Sequence, residues 1–116
     1  LVKEELQYRI MIRQPDFITK EMFDNALEVA KSKKDNPYLT DISFATICDG
    51  RCVQMLHKGA FDDEPVSFEI MNDYCLKQGY KRMGKEHREI YLNNPNRTEK
   101  ANLKTILRYK VTNIEK

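Results

Sequence analysis

Glu89 stands in the middle of His87-Arg88-Glu89-Ile90-Tyr91-Leu92, where alternation along an extended strand puts its carboxylate on one face with His87 and Tyr91. Two readings are open. Glutamate on a strand ordinarily faces solvent, because it is seldom buried without a partner. Held instead in an aromatic-lined groove it loses hydration and its pKa rises. It then suits a cationic ligand or general acid/base work. Glu64, beside Asp62 and Asp63, poses the same choice. Carboxylates at a helix start stabilise it by roughly 0.3 to 1 kcal/mol each through the helix dipole and need no further role. A working pair with Glu89 requires the fold to bring both into one cleft. His57, at the end of its own segment, is open between a hydrogen-bonded core edge and a site residue. Tyr8, Phe44, Phe61, Tyr80 and Tyr91 suit a core, and such rings also wall pockets for flat organic molecules.

Other chemistries lack their residues. No serine sits in a nucleophile elbow and no glycine-rich phosphate loop occurs among the four glycines, so neither nucleotide chemistry nor a cofactor is expected. His57 and His87 are far apart and neither belongs to a close ligand pair, so no metal is expected. Cys48, Cys52 and Cys75 are odd in number and form no CxxC pair, which predicts free thiols in a reducing compartment. A net charge of +2 with dispersed Lys and Arg offers no footprint for nucleic acid. No apolar run reaches the roughly 18 to 20 residues that span a bilayer, and no leader opens the chain. A cytoplasmic protein off the membrane is expected.

The elements that must position these residues follow from periodicity. With 116 residues, 41% hydrophobic and 33% charged, a single domain over 1–116 around one core is expected. Leu6, Tyr8, Ile10 and Ile12 alternate with polar positions as a strand ended by Pro15. Thr19 caps a helix carrying Phe23, Ala26, Leu27 and Ala30, stopped before Asn36-Pro37. Residues 42–57 divide at Asp49-Gly50, which predicts a two-residue hairpin with Phe44 opposite Met55, and with Val53, Met55 and His57 on one face. Pro65 opens a second helix with Phe68, Met71, Tyr74 and Cys75 at helical spacing, ended by Gly79. Strands over 87–92 and 103–111 complete the order β-α-β-β-α-β-β. That order implies the α+β class, an antiparallel sheet with two main helices on one face. Ile90 and Leu92 are expected to meet the helices, leaving Glu89 on the opposite, open face.

Three segments resemble the GyrI-like small-molecule-binding family, related to effector-binding domains of multidrug-responsive regulators. They are Tyr8-Arg-Ile-Met-Ile-Arg-Gln-Pro15, Val53-Gln-Met-Leu-His-Lys-Gly-Ala-Phe-Asp-Asp-Glu-Pro65, and His87-Arg-Glu-Ile-Tyr-Leu92 followed by Leu103-Lys-Thr-Ile-Leu-Arg108. The likeness is to the stand-alone branch. It implies a tandem strand-helix-strand-strand repeat with a ligand cleft between its halves, and it starts at what looks like the last strand of the first repeat. Together with the start at Leu1, this predicts a missing N-terminal half, and a first strand that pairs with that half or self-associates. The resemblance further implies that Glu89 meets a flat or cationic small organic molecule, with Tyr91, His87, His57, Phe61, Tyr8 and Phe44 around it, for sensing or detoxification. It also implies two alternatives. One is a cofactor-free hydrolase of cyclopropane-bearing molecules, with Glu89 and Glu64 catalytic and Glu64 or His57 assisting. The other is a protein-interaction module of the gyrase-inhibitor type.

Overall fold

The computed structural model describes residues 7–114, and chain contacts divide the protein into two compact units, Leu1–Thr46 and Ile47–Lys116. The class is α+β, with two α-helices and a four-stranded antiparallel sheet among the described residues.

In the first unit, α1 spans Lys20–Lys33. Thr19 caps it by accepting a hydrogen bond from the Met22 N–H at 3.2 Å, which satisfies one of the orphan donors of the first turn. Lys31 and Lys33 lie in the last turn, where cations complement the helix dipole. Asn36 then accepts from the Tyr38 N–H at 2.9 Å and starts a 3-10 turn over Pro37–Asp41. Phe23 of α1 stacks on Phe44 with ring centroids 5.5 Å apart. The expected first strand does not form. Leu6 lies outside the described residues, 7–14 carry no strand, and Tyr8, Ile10 and Ile12 are 81%, 82% and 79% exposed. Alternation marks a segment able to pair, whereas a strand exists only when a neighbour takes its backbone N–H and C=O groups.

The second unit holds the sheet. β1 (Cys52–Lys58) and β4 (Lys104–Asn113) pair along the whole of β1, from Cys52↔Lys110 to Lys58↔Lys104. The other edge of β4 is shared by β2 (Tyr80–Arg82) and β3 (Arg88–Tyr91). Directly opposite residues share a face. Val53, Met55 and His57 of β1 therefore lie with Thr105, Leu107, Tyr109 and Val111 of β4, with Arg82 of β2 and with Glu89 and Tyr91 of β3. Helix α2 (Glu64–Lys77) closes this face with Met71 and Cys75, which are buried against Val53, Leu107, Tyr109 and Val111. Tyr74, expected in that stripe, is exposed instead. No helix among the described residues is long and apolar enough to cross a membrane.

The predicted hairpin is also absent. Residues 42–50 carry no strand although Gly50 takes the positive φ of 67° that the turn requires. Asp49 serves another purpose there. Arg88 and Arg108 stand directly opposite each other on β3 and β4, and like charges so placed repel. The Asp49 carboxylate pairs with both, lying 2.8 Å from Arg88 Nη1 and accepting a hydrogen bond from Arg108 Nη1 at 3.0 Å, so its side chain is engaged on the sheet face away from α2.

Candidate functional site

After β1 the chain reverses at Gly59, whose φ of 116° suits glycine and whose N–H donates to the Leu103 carbonyl at 2.9 Å. A 3-10 turn over Phe61–Asp63 leads straight into α2, so Glu64 begins that helix over the sheet face bearing Glu89. Asp62 and Asp63 stay exposed. Glu64 does not: it is 9% exposed, and its Oε2 has no hydrogen-bond partner if both carboxylates are ionised.

The two carboxyl groups answer to different surroundings. Burial, followed by a hydrogen bond with Glu89 and by its charge, pushes the Glu64 pKa up to about 8. The favourable helix N-terminus would act the other way, and it is overruled because its effect is small beside burial next to a second carboxylate. Glu89 is held below the usual carboxylate range, chiefly by its hydrogen bond with His87 and against the opposing effect of burial; Glu64 and the charges of His87 and His57 assist. At neutral pH Glu64 is therefore the acid and Glu89 the carboxylate. A proton on Glu64 gives its buried oxygen a partner and joins the pair.

His87 Nε2 lies 3.4 Å from Glu89 Oε2, the two side chains being 33% and 27% exposed. The His87 ring meets Phe68 edge-on at 4.8 Å. Phe61 meets Tyr91 edge-on at 5.7 Å, and the Tyr91 pKa is raised by burial and by the charges of Glu89 and Glu64. Oxygens of Glu64 and Glu89 and a nitrogen of His87 lie within 4.8 Å of one another, a donor set that a divalent cation would accept. The same carboxyl groups can share a proton, which would give the buried Glu64 oxygen a partner.

His57 shares this sheet face without belonging to the close group of Glu64, His87 and Glu89. Buried at 3% exposure, it has Nε2 2.8 Å from the Ala60 carbonyl and Nδ1 2.7 Å from the Ser67 hydroxyl oxygen. A carbonyl only accepts, so Nε2 carries the proton, and in the neutral ring Nδ1 accepts from Ser67. His57 thus ties β1 to the turn and first coil of α2 that present Glu64. Ser67 escaped sequence reasoning, since nothing local distinguishes it from a solvated helix serine.

Glu64, Glu89, His87, Tyr91 and Phe61 accordingly gather in the second unit, with His57 on the same sheet face. Tyr8 and Phe44 belong to the first unit, Tyr8 exposed and Phe44 on Phe23. One expectation is reversed: Glu89 and Tyr91 lie on the helix-bearing face, whereas Ile90 pairs with Ile106 on the other. Period-two alternation had sorted the residues correctly, but the face of β3 turned toward α2 meets the Glu64 carboxyl as well as the rings of Phe61 and Phe68.

Residues 3–110 match the model of the GyrI-like small molecule binding domain, and the chain belongs to that family. It is similar to three solved structures from Listeria innocua. One is an uncharacterized conserved protein, at 35% identity and a TM-score of 0.79, covering 86% of this chain and 50% of that one. The other two are described as hydrolases. The first, at 34% identity and a TM-score of 0.77, covers 86% and 52%; the second, at 33% and 0.76, covers 86% and 50%. The chain thus spans about half the length of these structures. No protein of curated function matches it.

Proposed function

We propose that the chain binds a flat organic molecule, apolar or positively charged, for sensing or detoxification. Glu89 is the polar anchor, and Phe61, Tyr91 and His87 supply the aromatic surround. The observation that carries this reading is the meeting of the Glu64 and Glu89 carboxyls with the His87 ring, beside the packed rings of Phe61 and Tyr91; with Glu64 pushed up to about 8 and Glu89 held low, the two carboxyls carry one negative charge between them at neutral pH. A charge in that setting favours a cation whose flat apolar body also loses water on binding. Three free thiols, one of them buried, support a reducing, cytoplasmic setting. Calorimetric titration with a planar cationic dye and its neutral analogue tests the reading. Tighter binding of the cation is expected; equal affinity would remove Glu89 as the anchor, and binding of neither dye would contradict the reading.

A second reading, cofactor-free hydrolysis, is favoured by the same pair and by two neighbours described as hydrolases. Glu89 would take a proton from water as its oxygen attacks a strained ring. Glu64 would give its proton to the atom that keeps the electrons of the broken bond. Turnover of a strained electrophile, lost in Glu64→Gln with binding retained, is the expected result. Turnover unchanged in that variant would remove Glu64 from the mechanism.

A further inference from the structure

We infer that Arg82 is a positioning residue for this site, holding the β2–β3 loop so that His87 stands against both Phe68 and Glu89. The inference concerns a residue outside the acid pair, and it deepens the binding reading given above. Arg82 is the last residue of β2 and lies opposite Val111 on the helix-bearing face. Its guanidinium is 4.7 Å from the Tyr109 ring centroid and 5.7 Å from that of Phe68. Two rings at those distances attract the cation and offset the cost of a buried Nε that has no hydrogen-bond partner.

The other end of the guanidinium works on the loop. Nη2 donates to the Lys85 carbonyl at 2.7 Å and to the Glu86 carbonyl at 3.2 Å, and the next residue is His87. The loop turns at Gly84 with a φ of 75°, a conformation that local sequence alone holds weakly. Arg82 therefore fixes the two carbonyls immediately ahead of His87, while Phe68 touches the guanidinium on one side and the His87 ring at 4.8 Å on the other. A lysine keeps the charge and most of the stem but lacks the planar fork that stacks and donates from one nitrogen to two carbonyls.

The experiment uses the chain's two histidines as reporter and control. Imidazole proton and nitrogen resonances of His57 and His87 are recorded in the wild type, Arg82→Lys and Arg82→Gln, with His87→Gln for assignment. In both Arg82 variants the His87 signals are expected to lose the ring-current displacement from Phe68 and move toward those of an exposed imidazole. The buried His57 signals should stay, showing that the core is intact. His87 signals unmoved while Arg82 is replaced would overturn the inference. Movement of both histidines together would also overturn it, because Arg82 would then be a general core residue. Dye binding is measured in parallel. If the wild type binds no dye while His87 alone shifts in the variants, the binding reading fails and the positioning role stands.

Discussion

Glu64 and Glu89 reach each other from different elements, the first turn of α2 and the middle of β3, and between them hold one proton at neutral pH. The pair has a signature in stability. Glu64 has a folded-state pKa of about 8 against an ordinary 4.5, so its contribution is complete below the ordinary value and is lost as pH rises through about 8. Glu89, held low, contributes above the ordinary carboxylate value, and that contribution is lost as pH falls through its folded pKa. Denaturant unfolding of Glu64→Gln, whose amide can still donate to Glu89, should show a flatter decline in stability between about pH 5 and pH 9 than the wild type. An unchanged slope would mean that Glu64 is ionised throughout.

Ser67→Ala leaves the buried Nδ1 of His57 without its partner at 2.7 Å. Loss of about 1 to 3 kcal/mol is expected, the cost of an unsatisfied buried polar group. Urea unfolding measures it. A neutral outcome would show that solvent reaches the ring.

Asp49→Ala leaves Arg88 and Arg108 opposed without their shared carboxylate. A hydrogen bond to a charged group contributes about 1.5 to 3 kcal/mol, and partial exposure brings the expected loss toward the lower end. Added salt should narrow the difference between variant and wild type by screening the arginine repulsion. No loss at low salt would make the turn indifferent to Asp49.

Tyr8, Ile10 and Ile12 expose large side chains in a segment that carries no strand. We propose that this segment pairs between copies of the chain, as exposed apolar edges do. Sedimentation velocity should then show concentration-dependent association that Ile10→Lys weakens. A monomer at all concentrations would reject the pairing.

What was legible in the chain was what short-range chemistry decides. Thr19 as cap, the stop before Asn36-Pro37, Pro65 at the start of α2 and Gly79 after its end all carry their own local cause. So did the shared face of Val53, Met55 and His57. Pairing was not local. The segments 7–12 and 42–48 alternate convincingly and form no strand, while β2, only three residues long, is a strand because β4 extends past β3 and accepts it. Glu64 and Glu89 were each visible as candidates. Their partnership was not, because it depends on which face of β3 meets α2, and Ile90 and Leu92 made the other face the more apolar. Arg82 left no signal, since its value lies in two rings and two carbonyls far apart in the sequence from most of one another.

The direct measurement is affinity for a panel of planar dyes, cationic and neutral, in the wild type and in Glu89→Gln. The amide keeps the shape of the side chain and removes its charge. Cationic dyes should bind the variant more weakly by about 1 to 3 kcal/mol, the scale of losing a charged hydrogen-bonding partner, and neutral dyes should change little. Cationic and neutral dyes binding the variant as they bind the wild type would contradict a ligand site at Glu89.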